Sequence, residues 1–199
     1  MNITADRPVP TSPDQLITLQ GTWEHFKLIQ KGCEQSPGAR LTYFDGTIEI
    51  LMPGQLHETF SQIITWLLTY FLAAKRVPFF PTGAMTQEKE DSVSAQADGS
   101  YCFEKLKPIP DLAIEVVFTS GNLSKLARYQ ALGVSEVWFW EDGVLSLYRL
   151  RDTGYERIDR SELPGLADLD LDLLNRCVLM AETDTVQALQ TFCSQVGAI

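Results

Sequence analysis

The run Leu112-Ala113-Ile114-Glu115-Val116-Val117-Phe118 constrains the fold more than any other feature of the chain. An extended segment that is apolar on both faces is buried on both faces, so it belongs at the centre of a sheet with helices packed against it. The run contains one charge. An ionised carboxylate is costly to bury alone, so Glu115 needs a metal, a cation or a proton beside it, unless it faces water at a strand end or pairs with an arginine.

The remaining elements fit around that strand. Residues 1–13 hold three prolines and few apolar anchors and read as a loose leader. Helical spacing runs from Asp14 to Lys31, with Gly32 as a stop, and Pro37-Gly38 marks a turn. Leu41 to Met52 reads as a hairpin about Asp45-Gly46. From Leu56 to Lys75, apolar residues at Phe60, Ile63, Ile64, Leu67, Leu68, Phe71 and Leu72 give the longest helix pattern. Strands follow at Phe79 to Thr86, Ser92 to Phe103 and Asp111 to Phe118. Ser120-Gly121-Asn122 opens a short helix over Leu123 to Leu132, which Gly133 closes. Val137 to Trp140, Val144 to Leu150 and Arg151 to Ile158 read as strands, Leu163 to Leu174 as loop, and Thr183 to Val196 as a closing helix. No repeat or linker divides residues 14–199. The expected fold is one α/β (α+β) domain, a mixed central β-sheet flanked by helices, with Phe60, Ile63, Leu67, Ile114, Val116 and Trp138 in its core.

Charge narrows the function. The 16 Lys and Arg against 26 Asp and Glu leave −10. That opposes tight non-specific binding to nucleic acid, which depends on neutralising phosphates. It leaves room for a small, locally basic site or one that recruits a divalent cation. Cys33, Cys102, Cys177 and Cys193 are scattered without a C-x-x-C pair, as expected of thiols in a reducing cytosol. No secretory signal pattern opens the sequence, and the longest apolar stretch, Ile63 to Ala74, falls short of the roughly 20 residues of a span. The expectation is a cytoplasmic protein with no membrane segment.

Several residues are candidates for chemistry. Asp98 precedes Glu115 by 17 positions, a spacing that suits a hairpin partner, although Asp98-Gly99 is also an ordinary turn dipeptide. Asp111 shares a strand face with Glu115, but four steps of roughly 3.3 Å put their Cα atoms about 13 Å apart. Asp111 is therefore expected to cap the strand entrance or contact a neighbouring loop. Lys125 falls early in the short helix, either solvated or reaching back over the sheet to orient a water or stabilise phosphate charge. Tyr129 lies one turn further on the same face. Glu49 and His57 flank the start of the long helix, as structural groups or as an acid and a base or ligand. Trp23, Trp138, Trp140 and Tyr148 offer more aromatic surface than a small core needs, which points to a homodimer.

The segments Thr47-Ile48-Glu49-Ile50-Leu51-Met52-Pro53 with His57, Ala97-Asp98-Gly99-Ser100-Tyr101, Pro110 to Val117, Lys125, Tyr129, and Gly133-Val134-Ser135-Glu136-Val137-Trp138 together resemble the Uma-type restriction-endonuclease family, a bacterial domain once catalogued as of unknown function. The resemblance implies a fold like that of the PD-(D/E)-x-K nucleases and a Mg²⁺-dependent endonuclease acting on DNA. It makes Asp98 and Glu115 the metal-binding acids and Glu49 a further catalytic acid. The lysine slot of that motif holds Val117, and the resemblance implies that Lys125 takes over its role. Ala97-Asp98-Gly99 stands where the family often has Pro-Asp and a second acid. Two carboxylates that close repel unless a cation lies between them. The competing expectations are a catalytically inactive module on the same fold, serving protein interaction or oligomerisation, and metal-assisted hydrolysis of a smaller phosphoester. No glycine-rich phosphate loop supports nucleoside triphosphate chemistry.

Overall fold

In the computed structural model, residues 12–35, 38–118 and 122–198 are described. The expected leader lies largely outside them, as do Pro37 and Ser120-Gly121. In chain order the elements are β1 (Gln15–Gln20), α1 (Trp23–Cys33), β2 (Arg40–Phe44), β3 (Thr47–Met52), α2 (Gln55–Ala74), β4 (Phe79–Pro81), β5 (Thr86–Lys89), β6 (Val93–Gln96), β7 (Gly99–Phe103), β8 (Leu112–Val117), α3 (Asn122–Leu132), β9 (Glu136–Glu141), β10 (Val144–Arg151), β11 (Gly154–Ile158), α4 (Leu171–Ala181) and α5 (Thr185–Val196).

They build an α+β fold with two sheets. A five-stranded antiparallel sheet has the order β1-β3-β2-β6-β5, and a six-stranded mixed sheet the order β11-β10-β9-β8-β7-β4. Among the described residues only β8 and β9 run parallel, joined by the α3 crossover. β8 is the interior strand that its apolar run demands, and all six of its residues are buried. Alternation divides them. Leu112, Ile114 and Val116 pack toward α2, α4 and α5 in the largest core. Ala113 and Val117 enter a second core with α3 and β6. Glu115 shares their parity, so it points between the two sheets rather than into the main core.

The long helix keeps its predicted register: Phe60, Ile63, Ile64, Leu67, Leu68, Phe71 and Leu72 are all buried. The hairpin also stands. Asp45 and Gly46 both have positive φ, 47° and 72°, the backbone that a tight two-residue turn requires.

Four expectations change. The strand over Phe79 to Thr86 is instead β4 in the six-stranded sheet and, from Thr86, the start of β5 in the five-stranded sheet. The helix over Asp14 to Lys31 is instead a strand and a helix. β1 pairs with β3 at the edge of the sheet, and Thr22 starts α1 in a capping box with His25. Pairing and capping here override a weak helical spacing. The strand from Ser92 to Phe103 divides at Ala97-Asp98, where the chain leaves one sheet and enters the other. Leu163 to Leu174 contains the beginning of α4, capped where the Asp170 carboxylate accepts from Leu173 N–H at 2.9 Å.

Candidate active site

The switch at Asp98 decides the site. Pairing between β7 and β8 stops at Gly99 and Ile114. Asp98 and Glu115 follow one residue beyond that last pair, and both line one cavity. Asp98 extends the ladder with its side chain: Oδ2 accepts from Val116 N–H at 2.6 Å, while the Asp98 N–H donates to Ile114 O at 3.0 Å. Both carboxylates are almost fully buried, at 6% and 3% exposure.

Each has its own cationic partners. Arg40, from the start of β2, holds Asp98 Oδ1 and reaches Glu58 Oε1 at 2.6 Å. His57, from the first turn of α2, stands between Asp98 Oδ1 at 2.9 Å and Asp14 Oδ2 at 2.8 Å. On the other carboxylate, Lys125 Nζ lies 2.5 Å from Glu115 Oε2, the Tyr129 hydroxyl donates to Oε1, and Arg128 Nη2 is 3.8 Å away. Arg128 also donates to Glu49 Oε2 at 2.7 Å and to Thr42 Oγ1 at 3.0 Å. The repulsion expected of two adjacent acids is thus met by Arg40 on one side and by Lys125 with Arg128 on the other.

The surroundings set protonation. Burial pushes the Glu115 carboxyl upward, but Lys125 and Arg128, with hydrogen bonds from Lys125 and Tyr129, outweigh it and hold the group below the ordinary carboxylate range. Burial is the main influence that lowers His57, reinforced by Arg40 and Lys125 and opposed by Asp14. A neutral ring has one N–H, for Asp14 or for Asp98, and only a protonated ring donates to both. Burial and the Glu115 charge push the Tyr129 phenol well up, so it acts as a donor.

Asp98, Glu115, Lys125, Glu49 and His57 line one cavity with Arg40, Arg128 and Asp14. Tyr129 supports it from behind through Glu115. Asp111 stays outside, where its carboxylate accepts from Phe103 N–H at 2.8 Å and from Lys107 Nζ at 2.7 Å, the loop contact its spacing implied. Val117 is buried beside the site without joining its charge network. Sequence reasoning missed Arg40, Arg128 and Asp14. Arg128 had a signal, since Lys125, Arg128 and Tyr129 fall at i, i+3 and i+4 on one helix face. Arg40 and Asp14 had none, because they arrive from segments remote in sequence. The aromatic surface expected to join two copies is largely internal: Trp23, Trp138 and Trp140 are buried.

With His57 neutral, four carboxylates against three cationic side chains leave the cavity negative, and Glu58 competes from outside for Arg40. That balance favours a cation. Among the described residues no three His, Cys, Asp or Glu side chains form a ready-made cage. Mg²⁺ does not need one, because one or two carboxylates commonly hold it while waters and substrate oxygens complete the octahedron. Asp98 and Glu115 fit that requirement. Among the described residues no helix is long and apolar enough to cross a membrane.

A family model described as "Uma2: Putative restriction endonuclease" matches residues 23–179. Among solved structures, one described as a "putative nuclease belonging to DUF820" from Anabaena variabilis ATCC 29413 is similar, with a TM-score of 0.53 and 16% identity. The match covers 69% of this chain and 90% of that one. At that identity the likeness is one of fold. No curated protein matches the chain.

Proposed function

The chain belongs to the Uma2 family, and from that membership together with the cavity we propose that it is a Mg²⁺-dependent endonuclease that hydrolyses phosphodiester bonds in DNA. The observation that carries this reading is two buried carboxylates, Asp98 and Glu115, lining one cavity in which four acids face Arg40, Lys125 and Arg128. A divalent ion held by these two carboxylates would supply Lewis acidity and lower the pKa of a bound water. Lys125, at 2.5 Å from Glu115, stabilises charge developing on the phosphate or orients the attacking water. His57 and Tyr129 position the two carboxylates, and Glu49 positions Arg128. The four free cysteines agree with a cytoplasmic setting. A homodimer rests on the economy of cutting two strands with two sites; light scattering that gives only the 22.3 kDa monomer would oppose it.

One observation favours the inactive reading. The oxygens of both acids already have partners, so a metal must displace Arg40 or Lys125. Calorimetric titration with Mg²⁺, beside an Asp98→Ala/Glu115→Ala variant, decides. Heat of binding in the wild type alone supports the nuclease; no binding in either leaves the inactive module.

A further inference from the structure

We propose that the outer edge of β1 is a docking surface for β1 of a second copy of this chain, the two strands pairing antiparallel about a two-fold axis through Thr18. The pairing gives the homodimer its surface and does not depend on metal chemistry in the cavity.

The two sheets end in four edge strands, β1, β5, β11 and β4. Three of them are protected. β4 is three residues long and ends in Pro81, β5 carries Glu88 and Lys89, and β11 carries Glu156 and Arg157. Short length, proline and charge are common means of keeping an edge from pairing. β1 has none of them. Its sequence, Gln-Leu-Ile-Thr-Leu-Gln, is uncharged, all six residues are exposed, and among the described residues nothing pairs with its outer side. Leu16, Ile17 and Leu19 are 48%, 45% and 42% exposed. Asp14, just before the strand, is engaged by His57.

The strand itself selects the occupant. A two-fold axis normal to the sheet reverses the strand but keeps each face on its own side. Facing residues therefore share parity, and the axis passes through a residue. Centred on Thr18, Ile17 meets the partner's Leu19 on one face, Leu19 meets the partner's Ile17, and the two Thr18 side chains meet on the other. Apolar and Thr–Thr pairs are favourable across strands. Centred on Ile17, Leu19 would face the partner's Gln15 instead. Charge agrees. Two copies at −10 each repel, so they approach best through a face without charge. Residues 1–11 are a poor substitute, because Pro8 and Pro10, two positions apart, cannot donate along one edge.

The same axis arranges the two sites. Thr18 stands opposite Glu49 and Leu16 opposite Leu51, and Leu16, Glu49 and Leu51 line the cavity. Three strand spacings then separate the two Glu49 Cα atoms, about 14 Å. Both cavities open on one face of the joined sheet, and the partner's Gln20 stands opposite Leu16 at each rim.

Sedimentation equilibrium of the full chain, from micromolar to submillimolar concentration, tests the pairing. A wild-type dimer is expected. Ile17→Lys and Leu19→Glu alter exposed side chains, so each should keep the wild-type circular dichroism while weakening the dimer about 10-fold or more. Mixed together, the two variants should form a heterodimer, because the substituted positions face each other. Val186→Lys, at a position on α5 that is 65% exposed, should leave the dimer unchanged. A wild-type monomer throughout overturns the proposal; β1 amides protected from hydrogen exchange in that monomer would assign the edge to the chain's own leader. A dimer indifferent to Ile17→Lys, or a mixture that stays monomeric, overturns the pairing about Thr18. None of these outcomes touches Mg²⁺ binding, so the nuclease reading stands or falls separately.

Discussion

Glu115 in β8 and Glu136 in β9 are both buried carboxylates on adjacent strands of one sheet, at 3% and 0% exposure. Their surroundings differ in kind. Glu136 accepts from Trp138 Nε1 at 3.0 Å, Ser161 Oγ at 2.7 Å and Glu162 N–H at 2.7 Å, with Arg149 3.5 Å away. Its close donors are neutral and come from the protein itself. That carboxylate staples the loop around Ser161 to the sheet. Glu115 instead faces an open cavity and is held by Lys125, Tyr129 and Arg128. Burial of an acid therefore does not mark a site by itself. What distinguishes Glu115 is a cationic neighbourhood, a second buried acid in the same cavity, and space in front.

The comparison breaks most visibly in activity. Glu115→Gln should lower single-turnover phosphodiester hydrolysis by about 100-fold or more, while Glu136→Gln, assayed where it is folded, should stay close to wild type. Equal losses would erase the distinction. Stability should run the other way. Glu136→Ala strands three donors without an acceptor, at a cost of about 2–4 kcal/mol, or about 5–15 °C in Tm by calorimetry for a chain of this size.

Metal response gives a smaller shift. Millimolar Mg²⁺ should raise the wild-type Tm by about 3–5 °C if it is present at roughly ten times its Kd. The shift should persist in Glu136→Gln and vanish in Asp98→Asn. A shift that survives Asp98→Asn would move the metal elsewhere. The smallest effect is expected from Ser161→Ala, which removes one of Glu136's donors for about 1 kcal/mol, or about 2–4 °C, with hydrolysis unchanged.

Sequence alone determined what depends on near neighbours. The two-sided apolar run made β8 an interior strand, its period of two placed Glu115 opposite Ile114 and Val116, and the 3.6-residue period set the buried face of α2. The spacing of Asp98 from Glu115 pointed to the β7–β8 hairpin, whose pairing ends one residue short of both, at Gly99 and Ile114. The same logic was available for Glu136, within Glu136-Val137-Trp138-Phe139-Trp140, but no local pattern distinguishes a staple from a site. Tertiary structure decided which cation meets which acid. Arg128 reaches Glu49 across 79 residues and Thr42 across 86, and Asp14 reaches His57 across 43. It also divided the strand at Asp98 between two sheets and turned a read loop into the start of α4. Periodicity reports which way a side chain points. What stands in front of it depends on segments that only the packed sheets bring together.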